Sequence, residues 1–203
     1  TDFNDGIPDS TQKKLIHGYY ACVSYIDAEI GKLVKHLKKL DIYENSIIVL
    51  WGDHGWQLGE HNLWAKHCNY QTSLKVPLLI KYPAQKKQKR INTVVELLDI
   101  YPTLCELSNI EKPKHLQGKS LLSINISDPE NINGYSKYHK GETVTSIDKS
   151  YTEWRNKENL MKANMMYDLV NDPNENTNIS KNKENSSYII KFQYLLDSVR
   201  SID

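Results

Sequence analysis

Ile47-Ile48-Val49-Leu50-Trp51-Gly52-Asp53-His54-Gly55-Trp56 decides the fold class of this chain. An apolar, partly β-branched run stops at a glycine, and a carboxylate and an imidazole follow at once. Such an uninterrupted run is how a buried strand of a parallel α/β sheet reads. The loop past the carboxyl end of such a strand is where these sheets hold their ligands. Gly52 and Gly55 bracket Asp53-His54 and are expected to let the backbone turn tightly beside a ligand. Asp53 and His54 are therefore the first candidate site residues.

Upstream, Leu15, Ile16, Tyr19, Val23, Ile26, Ile30, Leu33, Val34, Leu37 and Leu40 recur at three- and four-residue steps. They predict one amphipathic helix of about 30 residues, with Asp9 or Ser10 as its cap. Downstream, residues 56–75 lack a helical or alternating pattern and read as an ordered active-site loop. Val76 to Pro83 reads as a second strand with Pro77 at its start, and Asn92 to Leu98 as a short third one. A helix opens at Asp99 with Pro102 in its first turn. After Leu121 the apolar runs shorten. Tyr135–Tyr138, Thr143–Ile147, Tyr151–Trp154 and Met165–Val170 read as short strands, and Ser186–Ser198 as a last helix. The expected division is residues 1–121, part of an α/β core, and residues 122–203, a small α+β subdomain with an antiparallel sheet.

The bulk composition sets limits. The 203 residues are 39% hydrophobic and 25% charged, which suits a folded globular protein. A net charge of +1 gives no reason to expect nucleic acid or a membrane as partner. Cys22, Cys68 and Cys105 form no zinc or CxxC pattern and read as buried or semi-buried free thiols. The basic run Lys86, Lys87, Lys89 and Arg90 reads as a solvated loop. The sequons at Asn125, Asn178 and Asn185 read as coincidence in a chain rich in Asn and Ser.

On spacing alone, Asp53 and His54 are as readily an ordinary loop pair as two ligands of a hard cation, which takes carboxylate oxygens. Lys66, flanked by Trp64-Ala65 and His67, is a surface lysine or a point charge for an anionic group.

The longer string narrows this. Gly52-Asp53-His54-Gly55-Trp56-Gln57-Leu58-Gly59-Glu60-His61, then Leu63-Trp64-Ala65-Lys66, resembles the signature of the type I sulfatases of the alkaline phosphatase superfamily. The Asp-His pairing is most similar to the branch that includes iduronate-2-sulfatase. Further blocks match in order: Tyr19 to Asp27, Lys75 to Ile80, Leu97 to Leu104, Gln117 to Leu121, Tyr151 to Trp154 and Tyr167 to Pro173.

The resemblance implies an alkaline-phosphatase-like sandwich, with a mostly parallel sheet between helices, followed by the small subdomain. It implies that Asp53 and His54 are catalytic residues at a single Ca²⁺, and that Lys66 contacts the sulfate. Trp56, His61 and His67 would line the substrate pocket. The implied substrate is a sulfated carbohydrate, and the implied setting is periplasmic, extracellular or lysosomal. The family's Cys-x-Pro-x-Arg segment, source of the formylglycine nucleophile, is not found at Cys22, Cys68 or Cys105. This chain is therefore expected to be the C-terminal part of a sulfatase, inactive alone, with the N-terminal portion supplying the nucleophile and the remaining Ca²⁺ ligands. Two other readings stand beside it: a phosphodiester or phosphonate hydrolase of the same superfamily, and a non-catalytic module binding sulfated glycans through the basic run.

Overall fold

The computed structural model describes residues 6–83, 85, 87–88, 90–123 and 133–201. It divides into two compact units: Thr1–Lys66 with Lys75–Gln88, and His67–Leu74 with Lys89–Asp203. The division thus falls earlier than the change of composition after Leu121, and it is interleaved.

The first unit is built on α1 (Asp9–Lys39), the predicted long helix. Its cap differs from expectation. Pro8 takes the cap position, and its carbonyl accepts from the amides of Thr11 and Gln12. Asp9 is the first helical residue, where its charge complements the helix dipole. No residue of α1 is buried; Val23, Ile26 and Leu33 of its apolar stripe are more than half exposed, as is Tyr20 beside it. Cys22 is exposed with them, contrary to the buried or semi-buried reading; Cys68 is half-buried and Cys105 buried.

β1 (Ile48–Trp51) forms where the apolar run predicts a strand. Its pairing is different. It runs antiparallel to β4 (Leu78–Lys81), with Val49 opposite Ile80 and Leu50 opposite Leu79. Leu50 and Trp51 are exposed in this chain. An apolar run specifies a strand but not the direction of its neighbour, so the parallel reading does not hold for this pair. Between these strands, β2 (Gln57–Leu58) and β3 (Trp64–Ala65) make a small antiparallel hairpin within the stretch expected to be irregular.

The second unit contains α2 (Gln71–Leu74), α3 (Ile100–Leu107) and a four-stranded antiparallel meander: β5 (Gly134–Tyr138), β6 (Gly141–Thr145), β7 (Lys149–Arg155) and β8 (Met161–Asp168). The expected strand over Asn92–Leu98 is absent. That stretch is irregular and ends in a 3₁₀ turn, where the Glu96 and Asp99 side chains satisfy backbone amides in a capping box. α4 (Ser186–Arg200) covers the sheet, and Val144, Tyr151, Met166, Phe192 and Leu196 form the core.

A charged layer borders that core. Glu153 is fully buried and accepts from Arg155 Nε and Arg200 Nη2, both at 2.6 Å, and from the Tyr151 hydroxyl at 3.1 Å. Arg200 also donates to Glu142. Burial opposes the Arg200 charge, but the hydrogen bonds to Glu142, Glu153 and Asp197 outweigh it and raise its pKa above the ordinary arginine value.

Glu175 is the contrasting case. It is 2% exposed, with Oε2 accepting from the Gln71 amide at 2.6 Å and Oε1 from the Ser150 hydroxyl at 2.9 Å. Burial pushes its carboxyl above the ordinary 4.5, more than these bonds pull it down. The folded state therefore keeps this proton to higher pH than the unfolded state does. Below 4.5 both states are protonated and no penalty exists; as pH rises through the folded pKa, the buried group must ionise and stability falls. Glu175→Gln retains an acceptor for Gln71 and a partner for Ser150. It is expected to melt higher than the parent at pH 7 and equally at pH 4, read from melting temperature against pH.

Candidate active site

Three of the residues singled out from the sequence meet in the first unit. The ladder of β1 and β4 continues one step past the strand, where the Gly52 amide donates to the Pro77 carbonyl at 3.1 Å. Asp53 and His54 follow directly. The turn needs no left-handed residue at Gly52 or Gly55; the left-handed glycine of this region is Gly59, with φ of 116°. Gly59 begins the reversal between β2 and β3, with Trp64 packed over it at 3.3 Å from where a Cβ would stand. This reversal brings Lys66 back to His54.

The geometry fixes the imidazole. His54 Nδ1 lies 2.9 Å from the Gly55 carbonyl oxygen. A carbonyl only accepts, so Nδ1 carries a hydrogen; in the neutral imidazole Nε2 then presents its lone pair. Lys66 Nζ donates to that lone pair at 2.8 Å, and Asp53 Oδ2 is 3.3 Å from the same nitrogen. Asp53 Oδ1 also accepts from the His54 amide at 3.1 Å. The Asp53 side chain is 82% exposed, so the pair adds little to stability. A carboxylate, an imidazole nitrogen and an ammonium thus converge on one exposed point.

Trp56 stands beside them. Its ring is 6.4 Å from that of His54 and 6.2 Å from that of Tyr19 on α1. Tyr19 was not among the site residues expected, because its place in the apolar stripe already accounts for it. His61 lies in the hairpin turn, with φ of 55°. His67 belongs to the second unit, where it stacks on Tyr138 at 5.3 Å.

Asp53 and His54 have the donor chemistry of a divalent cation site: carboxylate oxygen, and the imidazole tautomer with a free Nε2. They fit as a partial set. Among the described residues no group of three or more His, Cys, Asp or Glu side chains is placed to hold a metal ion.

Comparison with known proteins decides the family. Residues 2–110 match the model for Sulfatase, and residues 59–201 match the model for N-sulphoglucosamine sulphohydrolase, C-terminal. The chain belongs to the sulfatase family. This sulfatase chain is 36% identical over 189 residues to a sulfatase of Formosa agariphila, covering 91% of the chain and 36% of that protein. It is 30% identical over 132 residues to mouse iduronate 2-sulfatase, covering 53% of the chain and 24% of that protein. Among solved structures it is similar to one in complex with its substrate D-glucosamine-2-N,6-O-disulfate, at 25% identity and a TM-score of 0.70 over 88% of the chain and 39% of that structure. The sulfatase chain therefore has the alkaline-phosphatase-like α/β fold with a small antiparallel sheet. It spans about a third or less of the length of these curated relatives.

Proposed function

We propose that this sulfatase chain supplies Asp53, His54 and Lys66 to the active site of an enzyme that hydrolyses sulfate esters of a sulfated carbohydrate. The observation that carries the proposal is the convergence of the three side chains, with Lys66 2.8 Å from His54 and Asp53 3.3 Å from the same imidazole nitrogen. Lys66 is an exposed, fixed cation, suited to charge that builds on sulfate oxygens or on the leaving oxygen. Such preorganised charge is usually a large catalytic contribution. Trp56 gives an aromatic wall beside it.

Asp53 and His54 would hold a Ca²⁺, which when bound would polarise the sulfate oxygens. Lys66, exposed beside His54, would meet the anionic substrate next to that cation. The nucleophile, a formylglycine hydrate, and the other Ca²⁺ ligands would come from a further, N-terminal part of the sulfatase. The apolar face of α1 and the exposed side chains of β1 support such a partner. Export from the cytoplasm follows from the resemblance; no described helix is long and apolar enough to cross a membrane. For the glycan-binding reading, Lys86 and Lys89 lie outside the described residues, and Lys87 and Arg90 are exposed.

The test is turnover by the full-length protein. Inorganic sulfate should be released from a sulfated glycosaminoglycan oligosaccharide, stop when a chelator is added, and resume with Ca²⁺. Faster cleavage of a phosphonate monoester would favour the phosphoryl-transfer reading. Salt-sensitive binding of the oligosaccharide without turnover would favour the glycan-binding module.

A further inference from the structure

The second unit holds a pocket of about 280 Å³. Its lining includes Tyr138, Trp154 and Met165, the exposed His67 and His139, and the buried Asn69. The rings form a connected set: His67 stacks on Tyr138 at 5.3 Å, and His139 meets the edge of Tyr138 at 4.5 Å.

The pocket is built. Asn69 is 4% exposed, and its Nδ2 donates to the Gly141 carbonyl at 3.2 Å and to Thr143 Oγ1 at 3.0 Å. Thr143 Oγ1 is in turn 2.8 Å from Thr152 Oγ1. The β6–β7 register sets Gly141 opposite Trp154. A Cβ on Gly141 would lie 2.6 Å from both Asn69 Oδ1 and Trp154 Nε1, so this close arrangement requires a glycine. The two-residue turn after β5 starts with His139 at φ of 50°, and His139 lines the pocket.

Its chemistry is selective. Ligand pockets for drug-sized molecules run to roughly 300–1,000 Å³, so this one suits a smaller group. Aromatic faces pack against the C–H face of a pyranose, and exposed imidazoles donate to or accept from ring hydroxyls. No carboxylate lines the pocket among the described residues, so nothing there repels an anionic sugar. We infer that this pocket is a carbohydrate subsite that takes one pyranose ring of the substrate. The inference rests on the proposed sulfatase reading for the identity of the sugar chain, and it adds Tyr138, His139 and Trp154 as binding residues. His67, which follows Lys66 directly in the chain, is its fourth member.

The experiment is calorimetric binding of an unsulfated uronic acid–glucosamine disaccharide to the full-length protein, which isolates sugar contacts from sulfate contacts. The parent and Lys66→Ala proteins should bind it alike. Tyr138→Ala and His139→Gly should each weaken binding about tenfold, and should raise KM for the sulfated oligosaccharide while leaving its kcat. Glycine accepts the φ of His139 without strain, so His139→Gly folds even if Tyr138→Ala does not. No binding by the parent, or equal binding by parent and His139→Gly, overturns the subsite. If no sulfate ester is hydrolysed but disaccharide binding responds as stated, the sulfatase reading fails and the subsite stands.

Discussion

Lys66→Ala in the full-length protein is expected to lower kcat for sulfate ester hydrolysis by about 10²–10³-fold, the scale on which removing one preorganised donor to developing negative charge is felt. The side chain is exposed and its hydrogen bond in this chain goes to His54, so the loss is not one of folding. The melting temperature should be unchanged, and that measurement separates a catalytic effect from a structural one. Both an aryl sulfate and a sulfated oligosaccharide should suffer, because the lysine acts on the group they share. Lys66→Arg keeps the charge but replaces a compact ammonium with a planar fork, so partial activity is expected. An unchanged rate for Lys66→Ala would remove its assigned role.

The second large effect is on stability. Arg200→Met leaves Glu153 fully buried with Arg155 and the Tyr151 hydroxyl as partners, and leaves Glu142 without its guanidinium. Breaking a buried pair by removing one member costs about 3–5 kcal/mol, and the remaining Arg155 contact puts the expectation near the lower end. Denaturant unfolding at pH 7 should show it as a lower midpoint with unchanged slope. The double variant Arg200→Met with Glu153→Gln should recover part of the loss, since it removes the stranded charge. No recovery would mean that Arg200 acts through packing alone.

The elements legible in the sequence were those with local causes. α1 follows from one apolar stripe, β1 from one apolar run, and α4 from the spacing of Tyr188, Ile189, Phe192, Leu195 and Leu196. The direction of β1 was not legible, because it depends on pairing with Leu78–Lys81. The extended stretch before Leu97 read as a strand because its side chains suit one, yet capping by Glu96 and Asp99 ends it in a 3₁₀ turn.

The site shows the same boundary. Asp53 and His54 stand out where an apolar run stops at a glycine, and likeness to a family adds Lys66, whereas their meeting depends on the reversal at Gly59. Tyr138 and His139 carried no signal of their own, and Trp154 only as the end of a block that resembles the family. Trp154 reaches the pocket because the β6–β7 ladder sets it opposite Gly141, and Asn69 reaches it from a distant part of the chain. Registers between distant segments are specified by the packed whole.

The interleaving of the two units has a practical consequence. The chain leaves the first unit after Lys66, returns at Lys75, and leaves it again after Gln88. No single peptide bond separates one unit from the other, so neither can be exchanged between sulfatases as a cassette by one splice. A cut after Leu121, where composition changes, would divide the second unit internally, parting α3 and the Asn69 segment from the sheet that anchors Asn69. Grafting this part of a sulfatase onto another therefore means moving both interleaved units together.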